Sequence, residues 1–200
     1  MSVCIDVAIY KMGRKKKTDL TPFFQHVLRL KHVKRAGWIS RAQISNPESV
    51  ADHSYSVCAI SMALSDILGL NTEMVMKMAL LHDLPESIVG DFVPGEVTKK
   101  KKRAEENNAI ETILQSIPPC IRSDYKGIWL EYLLNKTDIA RLVHTVDKLE
   151  MALQARQYVS EGYPKHLLAQ FLDFPKKYMM NYKHEIISQI QNALKPRRPK

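Results

Sequence analysis

Residues 79–91, ALLHDLPESIVGD, contain several side chains that could do chemistry together. His82 directly precedes Asp83, Glu86 follows one helical turn later, and Asp91 closes the segment. An imidazole and a carboxylate on one segment can ligate the same metal ion, and residues four apart, such as His82 and Glu86, share a helix face. Apolar residues surround the cluster, and buried charge is costly unless it is paired or bound to metal. The segment therefore predicts part of a metal site with further ligands elsewhere.

Two further candidate ligands lie on other predicted helices. His53 lies near the start of an amphipathic helix over 48–68, and Asp147 lies beside the apolar stripe of a helix over 137–160. A lone histidine is more often a hydrogen-bonded core or surface residue, and Asp147 alone could pair with Lys148 on a solvated face. The order His, His-Asp, Asp on three separate helices nevertheless favours a shared metal.

Two imidazoles and two carboxylates form a mixed nitrogen and oxygen donor set. Such a set suits one divalent ion, and Mn, Co, Mg, Fe and Zn all remain open because no thiolate biases the choice. A water on that ion would become acidic enough to attack phosphorus near neutral pH. Glu86 is not needed as a ligand, so we expect it to do general acid or base work in either direction.

A basic segment over 29–41 could receive a phosphate ester. It carries five Arg and Lys residues and no acid, and Trp38 lies among them. The guanidinium of Arg35 suits phosphate oxygens, and the indole of Trp38 offers a plane for a base or sugar. The alternative is a solvated basic face.

Four motifs together resemble the 5′-deoxynucleotidase subgroup of the HD-domain metal-dependent phosphohydrolases, which includes the HD domain-containing protein 2-like proteins. The resemblance spans roughly residues 20–165. The motifs are KRAGWISR (34–41), PESVADHSYSV (47–57), MALLHDLPESIVGDFVPGE (78–96) and VDKLEMALQARQYVSEGY (146–163).

The resemblance implies hydrolysis of nucleoside 5′-monophosphates, preferentially deoxyribonucleotides, by a homodimer. It assigns the residues as follows: metal ligands His53, His82, Asp83 and Asp147; catalytic carboxylate Glu86; a second carboxylate, Asp91, that serves catalysis and the substrate pocket; and a phosphate contact at Arg35. In bacterial members the Arg and Trp are adjacent, whereas two residues separate Arg35 from Trp38 in this chain.

The 200 residues carry a net charge of +9, but the excess is local. Runs at 11–17, 99–103 and 195–200 hold 14 basic residues and no acid, which leaves 16 basic against 21 acidic residues elsewhere. We interpret the runs as solvated lysine and arginine that could bind nucleic acid only nonspecifically.

Cysteine use and hydropathy predict a cytoplasmic protein that has no membrane partner. Cys4, Cys58 and Cys120 form neither a CxxC pair nor an even disulfide framework, which fits a reducing compartment. No stretch of eighteen or more apolar residues is present, and the first ten residues do not read as a secretory signal.

Helical periodicity dominates the chain, and strand-like alternation is scarce, so we predict an all-α fold, a single HD-domain helical bundle. We divide the chain into a flexible basic lead (1–18), the HD domain (19–165) and a C-terminal helix with a basic tail (166–200). Asn46–Pro47–Glu48 is predicted to start the His53 helix, and Gly37 and 42–47 to form the loop before it. The other predicted helices cover 21–33, 73–89, 97–115, 120–134 and 176–194.

Two other functions remain open at the level of sequence. The chain could be an HD phosphohydrolase that acts on another phosphate ester or nucleotide. It could also be a nucleotide-binding or nucleic-acid-binding module with a structural metal. The enzyme is favoured because Glu86 and Asp91 have no reason to accompany a purely structural metal site.

Overall fold

The structure, a computed structural model, describes residues 18–93 and 95–173, together with Ser188, Ile190, Gln191 and Lys195. Within these residues the regular elements are helices, and β pairing is limited to isolated bridge residues such as Lys34 and Ser49, which confirms the predicted all-α fold. The helices are α1 (Thr21–Arg29), a 3₁₀ turn (Leu30–His32), α2 (Ala36–Ala42), α3 (Val50–Leu68), α4 (Thr72–Leu81), α5 (Glu86–Val89), α6 (Lys99–Leu114), α7 (Pro119–Leu134), α8 (Asp138–Ser160) and α9 (Lys165–Leu172). None of the helices described is long and apolar enough to span a membrane.

Helix α3 begins three residues later than its sequence pattern predicted. Ser49 caps it: its side chain accepts a hydrogen bond from the Asp52 amide (3.2 Å), and the Asp52 carboxylate accepts one from the Ser49 amide (2.8 Å). The expected N-terminus at residues 46–48 is wrong because this stretch pairs with the chain before α2. The Arg35 amide donates to the Glu48 carbonyl (3.1 Å), which fixes Arg35 beside the start of α3.

The predicted helix over 73–89 is broken in its middle. Asn71 caps the N-terminus as expected, but α4 ends at Leu81 and α5 starts at Glu86. Pro85 has no amide hydrogen and disfavours helical geometry in the residue before it. Hydrogen bonds between residues three apart replace the α-helical pattern, with the Glu86 amide donating to the Asp83 carbonyl (3.0 Å). His82 and Glu86 therefore do not share one continuous helix face.

Two short helices were not predicted from the sequence. Gly37, expected in a loop, lies within α2, which ends where Gln43 adopts a left-handed conformation (φ 56°). Helix α9 follows Pro164 and packs against α2 and α8. Its Leu168 joins Trp38 and Tyr158 in a small apolar cluster separate from the main core.

The long helix α8 packs against α3, α4, α7 and α9, so it connects most of the fold. Its buried apolar residues, among them Leu142, Val146 and Leu149, belong to the main core. Burying each such side chain is worth about 1.5–3 kcal/mol relative to exposure, which stabilises the site-bearing helices together. The predicted N-terminal lead (1–18) lies outside the described residues except for Thr18, as does most of the predicted helix over 176–194.

Candidate metal and phosphate site

The four candidate metal ligands come together from three parts of the fold. His53 lies on α3, His82 and Asp83 lie in the turn after α4, and Asp147 lies on α8. Nε2 of His53 is 3.4 Å from Oδ1 of Asp147 and 3.6 Å from Oδ2 of Asp83. That same Asp83 oxygen is 3.2 Å from Nε2 of His82. Residues separated by up to 94 positions thus form one compact donor cluster.

The partners of the two Nδ1 atoms determine which nitrogen of each imidazole faces the cluster. Nδ1 of His82 is 2.6 Å from the Ala79 carbonyl oxygen, which can only accept, so this nitrogen carries the proton. Nδ1 of His53 is 2.6 Å from Oε2 of Glu150 and donates to that carboxylate in the same way. Each ring therefore directs Nε2, the nitrogen left to bind a cation, towards the carboxylates.

This arrangement fits a divalent cation. The Nε2 atoms of His53 and His82 are both buried and lack a hydrogen-bond partner. Donor atoms of His53, His82 and Asp147 all lie within 4.8 Å of one another. Ligands about 2.0–2.2 Å from an ion lie roughly 3–3.5 Å apart, close to the spacings seen here. Nitrogen lone pairs that face carboxylate oxygens repel them, and a cation between the two groups removes this repulsion. The described residues thus contain a cluster that could hold one divalent cation.

Glu86 lies beside this cluster without joining it. Its side chain is 3% exposed, Oε1 is 4.0 Å from Nζ of Lys102, and Oε2 has no hydrogen-bond partner. Burial, followed by the charges of Asp83 and Asp91, raises the pKa of Glu86 well above its usual value. A buried carboxyl group whose pKa is raised in this way is suited to proton transfer.

Arg35 and Asp91 form the wall next to Asp83. Nη1 of Arg35 is 3.5 Å from Oδ2 of Asp83 and 3.9 Å from Oδ1 of Asp91. The other Asp91 oxygen accepts a hydrogen bond from the Ala36 amide (2.8 Å) at the start of α2. Burial raises the pKa of Asp91, although Arg35 opposes the shift. The guanidinium is thereby held at the edge of the donor cluster.

Trp38 lines the same cavity but is tightly packed, with only 2% of the residue exposed. Its Nε1 donates to Oε1 of Glu48 (2.8 Å), and its ring lies against Tyr158 and Phe171 at centroid distances of 5.3 and 4.3 Å. The sequence analysis did not foresee Phe171, because α9 was not predicted. The contact with a base or sugar remains a prediction.

A cavity of about 300 Å³ joins these groups, and it contains residues that the sequence analysis did not assign to a site. Lys102 and Glu106 reach it from α6, Tyr132 from α7, and Lys148 from α8. His144, three residues before Asp147, also lines it, with its ring stacked on Tyr132 at 4.1 Å. Lys102 and Glu106 are four residues apart, a spacing that indicates a shared helix face, but the surrounding lysine run obscured this signal.

Behind His53 lies a second acidic pair. Glu150, 3% exposed, binds Nδ1 of His53, and Glu48 lies within 4.8 Å of both, counted between ligand atoms. Burial and the charge of Glu150 raise the pKa of Glu48 to about 7. A carboxylate on the far nitrogen orients a metal-binding histidine and increases its basicity. The only sequence signal for Glu150 was its position three residues after Asp147.

Comparisons with known proteins identify the family of this chain. The family model described as HD domain matches residues 27–189. The 5′-deoxynucleotidase HDDC2 of Danio rerio is 37% identical over 162 residues, which is 80% of this chain and 80% of the relative. The human protein of the same name is 33% identical over 181 residues, 90% of this chain and 86% of the relative.

A solved structure extends the comparison to the fold. The conserved hypothetical protein from Pyrococcus furiosus superposes with a TM-score of 0.70 at 29% identity, covering 86% of this chain and 99% of that protein. Together with the match to the family model over most of the sequence, this confirms the resemblance carried by the four motifs. The chain therefore belongs to the HD-domain family.

Proposed function

We propose that this chain is a metal-dependent 5′-deoxynucleotidase. It would hydrolyse nucleoside 5′-monophosphates, preferring deoxyribonucleotides, to nucleoside and phosphate. The observation that carries the proposal is the pair of buried, unpartnered Nε2 atoms of His53 and His82, which face Asp83 and Asp147 beside a separate buried acid. The name 5′-deoxynucleotidase, printed for relatives that match most of the chain, supports the same activity.

The ligands are His53, His82, Asp83 and Asp147, and they would hold one divalent ion chosen from Mn, Co, Mg, Fe and Zn. When bound, this ion supplies an acidic water ligand and a position for a phosphate oxygen. The two imidazoles are already in the tautomer that ligation requires, because Ala79 and Glu150 take their Nδ1 protons.

The remaining residues handle the phosphate and the protons. Arg35 binds non-bridging phosphate oxygens, and Asp91 orients that guanidinium and the sugar end of the substrate. As water attacks phosphorus, the bond from phosphorus to the 5′-oxygen breaks and the leaving oxygen gains a proton. The attacking water loses a proton in the same reaction, and Glu86 handles one of these two transfers, either by donating to the leaving oxygen or by accepting from the water. Trp38 forms the wall against the base or sugar.

Two finer features belong to the proposal as well. We place the enzyme in the cytoplasm because its three cysteines show no disulfide framework. A homodimer is what the family resemblance suggests. The basic runs at 11–17 and 195–200 contain none of the proposed site residues, and any binding of nucleic acid would be nonspecific and limited to such runs.

Phosphate release tests the activity directly. A panel of ribo- and deoxyribonucleoside 5′-monophosphates is incubated with the protein and Mn²⁺, Co²⁺ or Mg²⁺. We expect turnover with higher kcat/KM for the deoxy forms, and loss of turnover in His82→Ala and Asp83→Ala. A truncation lacking 1–17 and 195–200 should retain turnover, whereas a binding module would lose polynucleotide affinity instead. Inactivity of the full chain on every nucleotide with every metal would overturn the proposal.

A further inference from the structure

The lysine run over 99–103 is not uniform, because helix α6 turns one of its members towards the site. The Lys102 side chain is 37% exposed and lines the cavity, whereas that of Lys101 is 63% exposed and pairs with Glu105. Along α6, Lys102 shares a face with Glu106, which also lines the cavity, and with the buried Ile113. The helical period, rather than the composition of the run, therefore selects Lys102.

Lys102 differs in its partners from Arg35 and Lys148, two other cations that line the cavity. Arg35 contacts Asp83, and Nζ of Lys148 is 2.9 Å from Oδ2 of Asp147, so each is paired with a proposed metal ligand. Nζ of Lys102 instead lies 3.4 Å from Oε1 of Glu106 and 4.0 Å from Oε1 of Glu86. Neither acid belongs to the proposed ligand set.

We propose that Lys102 binds the substrate's phosphate, exchanging its contact with Glu106 for a non-bridging phosphate oxygen. This inference rests on the proposed function and adds a residue that the family motifs quoted above do not assign. The ammonium group is compact and has three donors on a flexible stem, so it can reach a new acceptor without moving α6. The ammonium group lies 4.0 Å from Oε1 of Glu86, the acid that would transfer the proton.

The pair Lys102 and Glu106 also predicts a competition. While the substrate site is free of anion, Glu106 holds the ammonium group; phosphate then competes with this carboxylate for the same charge. Removing the charge of Glu106 should therefore strengthen phosphate binding, whereas removing Lys102 should weaken it. A pair that only stabilised α6 would give losses in both variants.

The experiment measures binding and turnover separately. Mn²⁺-loaded protein is titrated with inorganic phosphate by calorimetry, and KM and kcat are measured on a deoxynucleoside 5′-monophosphate. For Lys102→Met we expect phosphate affinity to fall about 10–100-fold and KM to rise similarly, as for loss of a charge-assisted bond. Lys102→Arg should recover part of both, and Glu106→Gln should bind phosphate about 2–5-fold more tightly, the gain from removing a competing ion pair.

Lys101→Met is the matched control, since it removes the same charge from the same run one position away. Equal losses in Lys101→Met and Lys102→Met would overturn the inference, as would weakened binding in Glu106→Gln. If the wild type releases phosphate from nucleotides and Lys102→Met binds phosphate normally, the inference fails while the proposed function stands. If the wild type shows no turnover but binds phosphate through Lys102, the proposed function fails and the inference stands.

Discussion

Glu86 and Glu150 both lie near the proposed metal ligands and are equally buried, at 3% exposure, yet their surroundings differ. Glu150 contacts Nδ1 of His53 at 2.6 Å, away from the donor cluster. Glu86 lines the cavity, and its Oε2 has no partner among the described residues. Burial alone therefore does not identify a reactive acid.

The two carboxylates differ in how far their hydrogen-bonding capacity is already used. Glu150 is committed to a hydrogen bond that fixes the orientation of His53, so we expect it to act through the metal ligand. Glu86 is held close to the cluster with one oxygen unsatisfied, which costs stability unless a substrate or proton uses it. Substitutions at the two positions should therefore fail in different ways.

The largest effect is expected at Glu86. Glu86→Gln keeps the shape of the side chain but cannot transfer a proton, so kcat should fall about 10²–10⁴-fold. Metal affinity, measured by calorimetry with Mn²⁺, should stay within a few-fold of wild type, because Glu86 is not in the ligand set. A kcat within threefold of wild type would remove Glu86 from the chemistry.

The same variant should change the dependence of stability on pH. A carboxyl group whose pKa is raised on folding stabilises the fold below its unfolded pKa, and this contribution is lost as pH rises through the folded pKa. Glu86→Gln should therefore be more stable than wild type at pH 8, as measured by urea denaturation of the metal-free protein. Reduced stability at this pH would contradict the environment described for Glu86.

A smaller effect, of another kind, is expected at Glu150. Glu150→Ala should lower Mn²⁺ affinity about 10–100-fold, because His53 loses the group that orients it. Turnover should recover as metal concentration is raised, which distinguishes this variant from Glu86→Gln. Glu150→Gln retains an acceptor for the Nδ1 proton and should lose less.

The exposed Glu161, at the end of the same helix, supplies the control. Glu161→Gln should bind Mn²⁺ as wild type does. If excess metal fails to restore turnover in Glu150→Ala although the protein is folded by circular dichroism, a positioning role for Glu150 is excluded.

The sequence predicted most helices because their limits depend on local chemistry. Gly69, at φ 66°, ends α3, and Pro118 and Pro119 start α7, as local rules require. Helix α9 was missed because it is short and is stabilised by packing of Leu168 and Phe171 against α2 and α8, which no local pattern reveals. The break before Glu86 follows from Pro85, a local signal that the helical periodicity outweighed.

The candidate site likewise has residues whose placement could be predicted from the sequence and residues whose placement could not. His82, Asp83 and Glu86 are neighbours in sequence, so their proximity could be predicted from spacing. The approach of Glu150 to His53 spans 97 positions and depends on how α8 packs on α3. Lys102 was hidden for a different reason: a run of similar residues gives no indication of which one faces inward until the helix axis is placed.

Glu48 is a third glutamate to compare with Glu86 and Glu150. Within the described residues it makes no hydrogen bond to a histidine nitrogen, and it does not line the cavity. Burial and the charge of Glu150 raise its pKa to about 7, while the bond from Trp38 opposes the shift. The contribution of Glu48 to the free energy of unfolding is therefore fully present below about pH 4.5, its unfolded pKa, and is lost as pH rises through about 7.

Glu48→Gln should consequently flatten this decline and add about 1–2 kcal/mol to the free energy of unfolding at pH 8.5, with little change at pH 4.5. The amide oxygen can still accept from Nε1 of Trp38, so the packing of the indole should be preserved. Urea denaturation in the presence of a chelator measures both values, and Glu161→Gln should follow wild type at each pH. If Glu48→Gln declined with pH as steeply as wild type, burial and the charge of Glu150 would not raise the pKa of Glu48 enough to matter, and the bond between Glu150 and His53 alone would define this side of the site.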